Sequence, residues 1–350
     1  MFVAHFAKHM LAAAEAVLAG GGTVDEDVFA QLRRYVTARA QQDEVARTSL
    51  VVSTCALLAR DDGLSKPAVA LEFLGNCVTG HAGNQAALWS SALCRPQASE
   101  GPPMASLMHR ALASGDLRAA HALCMIVHAC CVNNGSEARL GDVVLKCPRL
   151  FRCVAMLSLA DDHGWSTWIV EAALDAELAA PAWACLLTSP ERAGFMSVLA
   201  HSDVDVTEAL ALDMIAECAR ADDAFEGALG HAFLLAFARL SAHNLASEVR
   251  VALVKALVRW LRDPGPASWD DCRPDMLRVL ANAVDRSETA QDAALALGGV
   301  EAALNHCKMD PSRPAQHEWA LFAVRNLCAD NERVQARVAM LKPVGSKYHS

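Results

Sequence analysis

The sequence predicts an all-α protein built as a stack of helical repeats. Three observations carry the prediction. Ala and Leu recur throughout, while Tyr occurs only twice and β-branched runs are scarce, a balance that favours helix over strand. Apolar residues return at helical spacing almost from end to end. An Asn-centred pattern recurs along the chain at intervals near those of helical repeat arrays, roughly 40–47 residues. Length agrees, because a compact single core stops growing at roughly 250–300 residues and this chain has 350.

In chain order, helical spacing predicts helices over 3–19, 25–42, 44–60, 67–78, 117–132, 164–179, 205–220, 226–240, 247–262, 273–285 and 315–329. The first reads as an amphipathic helix rather than a secretory leader. Glu15 interrupts its apolar run, and Gly20-Gly21-Gly22 offers no convincing cleavage site. Breakers separate the helices: Gly20-Gly21-Gly22, Asp61-Asp62-Gly63, Asn133-Asn134-Gly135, Ser189-Pro190 and Asp263-Pro264-Gly265-Pro266. The segment 94–103, with three prolines, reads as a surface loop. No apolar stretch reaches the ~20 residues needed to span a bilayer.

The repeat is clearest around Asn76, with Leu74 two before it, Val78 two after and Gln85 nine after. Asn282 has Leu280, Val284 and Gln291 at the same offsets, and Asn326 has Val324, Cys328 and Gln335. Weaker copies centre on His128, Glu217 and Arg239. In each, a helix ends just after the anchor, a polar loop follows, and the next helix opens near the Gln or Glu. Arg239, Asn282 and Asn326 follow one another at intervals of 43 and 44 residues, but the earlier register is irregular. The expected division is a helical array over 1–240, a C-terminal domain over 241–345 and a tail over 346–350.

Leu297-Gly298-Gly299-Val300 resembles the junction of armadillo repeats, where a short first helix turns sharply into a second and only Gly tolerates the backbone at little cost. The expected fold is therefore an armadillo/HEAT-like right-handed superhelical solenoid. A narrower resemblance lies in Cys307-Lys308-Met309-Asp310, Pro314, the run Glu318 to Cys328, Asn331 and Gln335. Together these are similar to the last repeat of the ataxin-10 family. Leu71 to Cys77 with Asn84-Gln85 resembles one of that family's N-terminal repeats. Arg313 and Ala315 depart from the family's Asn and aromatic on either side of Pro314, which bears on contacts made by that loop. The resemblance implies a cytoplasmic, non-catalytic scaffold. It also implies links to cytokinesis and cell survival through protein partners, with self-association to a homo-oligomer.

Stacked repeats leave a concave face, and the expected site lies on it. Aligned anchors form a ladder of Asn76, Arg239, Arg278, Asn282, Phe322 and Asn326, with Glu318 on the same face and Arg325 at its edge; Val324 and Leu327 point inward. Two readings stay open: the ladder holds a partner, or its anchors bond between neighbouring repeats and satisfy loop backbone. The Trp-Asn array of nuclear-import adaptors is absent, because Glu72, Arg278 or Phe322 stands four before the anchor where a Trp would be needed.

Other chemistry finds little support. Net charge is −9, from 40 acidic and 31 basic residues, and no basic run exceeds Arg33-Arg34. That argues against nucleic acid and against an anionic membrane surface. Most cysteines, such as Cys77, Cys130, Cys218 and Cys328, sit in apolar helical runs and read as buried hydrophobes in a reducing compartment. His121, Cys124, His128 and Cys131 share a helical face, but the outermost pair lies about 15 Å apart along the axis, too far to share one ion. A core role is expected, with no metal and no cofactor. The acidic pairs Asp61-Asp62, Asp161-Asp162 and Asp222-Asp223 read as solvated caps. The Asn134-Gly135-Ser136 sequon carries no meaning in the cytosol. No P-loop, dinucleotide fingerprint or nucleophile elbow occurs. A scaffold is therefore the first reading, and a helical-repeat regulator with exchange activity on a GTPase the alternative.

Overall fold

The computed structural model describes residues 2–20, 22, 24–60, 64, 67–93, 103–132, 137–159, 164–174, 178–220, 228–243, 245–263 and 269–341. The breakers at 61–63, 133–135 and 264–266 lie outside them, as do the three acidic pairs, the sequon, residues 94–102 of the proline-rich loop and the 346–350 tail. The described residues form 21 α-helices and no strand. None of the helices is long and apolar enough to cross a membrane.

The chain divides into two compact units, Met1–Val198 and Leu199–Ser350. The boundary expected at 240/241 falls at the end of a helix inside the second unit. The first unit contains α1 (Phe2–Ala19), α2 (Glu26–Tyr35), α3 (Arg39–Ala46), α4 (Leu50–Leu58), α5 (Ala68–Val78) and α6 (Ala82–Leu88), which runs on into a π-helical turn, Trp89–Leu93. It continues with α7 (Pro103–Ser114), α8 (Leu117–Cys131), α9 (Glu137–Lys146), α10 (Pro148–Ser158), α11 (Trp165–Leu174), α12 (Ala179–Cys185) and α13 (Ser189–His201), near whose end the division falls. In its inner layer α2, α5, α8 and α11 pack in series, while α7 and α10 pack in an outer layer. Each inner helix buries residues on two sides. In α5 these include Leu71, Phe73, Leu74, Cys77 and Val78. At roughly 1.5–3 kcal/mol for each large apolar side chain, this layer supplies much of the driving force for stacking.

The second unit repeats the scheme with α14 (Glu208–Arg220), α15 (Ala228–Ser241), α16 (Ser247–Arg262), α17 (Trp269–Val284), α18 (Glu288–Leu297), α19 (Gly299–Asn305), α20 (Pro314–Cys328) and α21 (Glu332–Met340). Here α15, α17 and α20 form the inner series, and α16 packs against both α18 and α19. The α16 sequence has no Gly or Pro and runs unbroken for 16 residues. Its neighbours are one helix cut in two at Gly298, whose φ of +78° is cheap only for Gly. At Gly299 a β-carbon would meet Cγ2 of Val258 at 2.8 Å, so the second Gly serves close packing on α16.

The array is therefore an armadillo-like helical solenoid within each unit, as expected, but several helices differ from the periodicity: the helix expected over 44–60 begins inside α3 and breaks before α4, and α7, α10 and α13 fall outside the expected ranges. The helix expected over 25–42 is two, α2 and α3. Buried Val36 leaves the helical conformation with φ −81° and ψ 77°, and the Thr37 N–H turns back to the Tyr35 carbonyl. The bend lets Gln42 Nε2 donate to the carbonyls of Asn76 (2.7 Å) and Thr79 (2.8 Å). Helix α17 begins four residues earlier than expected and runs through Pro274. Trp269 is buried there, and Asp270 and Asp271 occupy the first turn, where the helix dipole favours carboxylates.

Candidate functional site

The anchors are joints between repeats. Asn76 Nδ2 donates to the Arg33 carbonyl on α2 (3.1 Å), Asn282 to Ala238 on α15 (3.3 Å) and Asn326 to Ala281 on α17 (3.0 Å). These bonds span 43, 44 and 45 residues, so each amide reaches one repeat back to the neighbouring inner helix. The structure thus supports the second of the two readings for these amides. Asn326 is buried, not exposed as the helical wheel predicted. Val324 is only half-buried, and the inward face of α20 is made by Ala320, Ala323 and Leu327.

The loop after each strong anchor is built the same way. Four residues on, Gly80, Arg286 and Asp330 adopt left-handed φ of 70°, 50° and 53°. The next residue caps the following helix: His81 Nδ1 accepts from the Asn84 N–H, Ser287 from Ala290 and Asn331 from Val334. The Gln nine positions past the anchor ties down a helix end. Gln85 bonds the Val78 carbonyl, Gln335 that of Cys328, and Gln291 those of Asn326 and Ala329 in the following repeat. Gln42 plays the Gln291 part in the first unit. Its anchor copy, near Arg33-Arg34, was hidden in the sequence because the anchor there is not Asn.

In the second unit, the ends of α15, α17 and α20 and the start of α16 enclose a groove of about 1010 Å³. Of the predicted residues, Asn282, Phe322, Arg325 and Asn326 line it. Phe322 is 40% exposed, packs edge-on to Trp319 (5.8 Å between centroids) and carries the Arg325 guanidinium over its ring at 5.8 Å. Residues that the pattern missed also line the groove. Arg250 is committed to the scaffold: its Nε donates to the Leu245 carbonyl, and its Nη1 to those of Asn282, Ala283 and Asp285 at the end of α17. Arg286 projects from the loop, its side chain 92% exposed, with one long ion pair of 3.9 Å to Asp285. It lies at the left-handed position, where the family of offsets predicts Gly, Asn or Asp. That mismatch was the available signal.

The remaining predicted residues stand apart from the groove lining. Arg239 donates from Nη2 to the Val204 carbonyl (2.6 Å), and burial makes its charge harder to hold. Arg278 pairs with Asp275 at 3.0 Å along α17. Glu318 is exposed on α20. Asn76 belongs to the first unit, where Glu72 one turn earlier is clasped by Arg33 of α2 and by both Nε (2.5 Å) and Nη2 (2.9 Å) of Arg118 on α8. The weaker anchors differ from Asn: Glu217 pairs with Arg220 (2.8 Å), and buried His128 packs against both Trp165 and Trp168, at 4.9 and 5.5 Å between centroids, while the two indoles meet edge-on. Cys124 and Cys131 are buried in α8, and His121 is exposed. No group of His, Cys, Asp and Glu suited to a metal occurs among the described residues. Arg313, the departure from the family pattern, bonds Asp270 across repeats (3.1 Å), and Asp270 also takes the Nε of Arg273 (2.9 Å). That substitution therefore anchors the loop before α20 to the start of α17.

Repeated inner helices joined by amide-to-carbonyl bonds, a Gly-Gly hinge and a polar groove across the helix ends define an armadillo-like helical-repeat protein. Residues 272–350 match the family described as the spinocerebellar ataxia type 10 protein domain. The similarity covers most of α17 through α21 and about half of the residues that line the groove. Relatives match over a similar length. The Dictyostelium discoideum ataxin-10 homolog is 41% identical over 71 residues, 20% of this chain and 12% of that protein. Ataxin-10 of Homo sapiens is 29% identical over 70 residues, 20% of this chain and 15% of that protein. The matched segment thus spans only a small part of either relative. Among solved structures, a designed armadillo repeat protein aligns over 89% of this chain and 99% of its own, at 12% identity and a TM-score of 0.26. An engineered protein aligns over 92% and 90%, at 14% identity and a TM-score of 0.29. Likeness at that level carries no argument about function.

Proposed function

We propose that this chain is a non-catalytic scaffold that holds another protein in the groove of its second unit. The observation that carries the reading is the groove itself. Its volume of about 1010 Å³ gives room for a short polypeptide segment, and the joints between inner helices border it, with the exposed aromatic side chain of Phe322 in its lining. Aromatic and arginine side chains are the residue types that dominate protein interfaces. A cytoplasmic setting fits the free, mostly buried thiols. A part in cell division or survival, and a second copy of the chain as one partner, rest on the family resemblance alone.

Phe322 replaced by a photo-crosslinking phenylalanine analogue, in the native cell, tests the reading. Adducts at position 322 with one polypeptide are expected, well above those from the same label at exposed Leu187. A peptide copied from the cross-linked segment should then compete for binding to the purified chain. Equal labelling at both positions would remove the groove from consideration.

A further inference from the structure

We propose that the groove recognises an extended protein segment bearing carboxylates about three residues apart. The inference rests on the scaffold reading above and names the chemistry of its partner.

Charge is the first argument. The chain as a whole carries −9, yet the groove is lined by Arg250, Arg286 and Arg325 against Asp285. Arg250 is consumed by four carbonyls. That leaves Arg286 and Arg325 as the cations turned to solvent, with Asp285 only loosely paired at 3.9 Å. A net-positive mouth on an acidic molecule selects and steers acidic partners.

Conformation is the second argument, independent of charge. Arg286 sits at φ 50°, where a side chain costs free energy, and the equivalent positions are Gly80 and Asp330, residue types that tolerate it. Its side chain gains only one long ion pair from the fold in exchange. An arginine held there against backbone preference points outward to a ligand. Arg325, supported on the Phe322 ring, presents a planar fork suited to bidentate carboxylate recognition.

Spacing follows from the stack. Arg286 lies in the loop two residues past the end of α17 and Arg325 lies on α20, and the two helices are in direct contact. Packed helix axes stand about 8–10 Å apart, and a chain in the polyproline II conformation advances about 3.1 Å per residue with three residues per turn, so that side chains at i and i+3 share one face. Two carboxylates at i and i+3 therefore meet the two guanidinium groups.

Fluorescence anisotropy of the full chain tests this with a labelled ten-residue peptide carrying Glu at every third position among Ser. Comparison peptides carry Lys at the same positions, or the same Glu count in one block. The spaced Glu peptide should bind best, and more weakly as salt rises. Arg286→Asp with Arg325→Glu should weaken it by at least about tenfold, while Arg286→Lys with Arg325→Lys retains most binding. Arg286→Asp introduces the residue found at the equivalent position 330, so folding is preserved, and an unchanged Tm confirms it. Equal affinity for the Lys peptide, or no loss in the charge-reversed variant, overturns the proposal. If cross-linking at Phe322 still captures a polypeptide in that case, the groove reading survives and only the acidic partner is lost. A preference for the blocked peptide overturns the spacing.

Discussion

Arg286 and His128 show how single residues depart from what packing alone would select. A left-handed backbone costs a non-Gly residue roughly 1–2 kcal/mol, partly offset by the extra freedom Gly has when unfolded. Arg286→Gly is therefore expected to raise stability by about 0.5–1 kcal/mol, measured by urea denaturation, while removing one of the groove's exposed cations. His128 packs against two indoles with Nδ1 unbonded, and burial lowers its pKa below the ordinary 6.5. The unfolded chain then binds the proton first, so stability is full above 6.5 and falls as pH drops below it. His128→Phe keeps a ring against Trp165 and Trp168 and removes the unbonded nitrogen. It should flatten the dependence of Tm between pH 7 and 5 that His128 contributes. An unaltered slope would show that other groups dominate acid sensitivity.

Among elements, the joints between inner helices are the parts with most to lose. Removing a buried amide leaves a carbonyl without its donor, at a cost of about 1–3 kcal/mol. Asn326→Ala, at a buried amide, should lie in that range. Asn282→Ala should cost less, because its amide is half-buried and its bond longer. Chemical denaturation of both variants checks the order, and the reverse order would mean that burial is not what sets the value of these bonds. Gly298→Ala strains a φ of +78° at the α18–α19 hinge. It should destabilise by about 1 kcal/mol without changing the thiol count exposed to reagent in the native state. The pattern that located these joints was legible because Asn, the left-handed residue and the cap keep fixed offsets. What the joints do was not legible: helical spacing places Asn326 on the face of Phe322, but the approach of α17 buries it.

At the scale of the whole molecule, stability should be graded along the stack within each unit, since each layer of a repeat array touches only its neighbours. Inner helices with partners on both sides, such as α17, should be the last to exchange amide hydrogens. Terminal α21, where Val334 is the buried residue, should be among the first. Hydrogen exchange read by mass spectrometry checks this. Cysteines provide a parallel readout. Burial pushes the Cys55 and Cys130 thiols up to about 12 and that of Cys77 well above its usual value. They should resist thiol reagents until their layers open, while half-buried Cys307 and Cys328 react sooner. Uniform labelling of all five would contradict graded opening.

By itself the sequence determined the all-helical class, the approximate repeat length and the Gly-Gly hinge; the C-terminal resemblance to the ataxin-10 family came from matching particular residues instead. Class, repeat length and hinge depend on local backbone preference and on the helical spacing of apolar residues, and both are properties of short segments. Only the packed structure decided which polar groups are spent inside the array and which remain for a partner. Asn282, Asn326 and Arg250 look as available as Arg286 and Arg325 along the chain. The difference arises when a neighbouring helix brings a backbone carbonyl within hydrogen-bond reach from a repeat away, and no local pattern records that meeting.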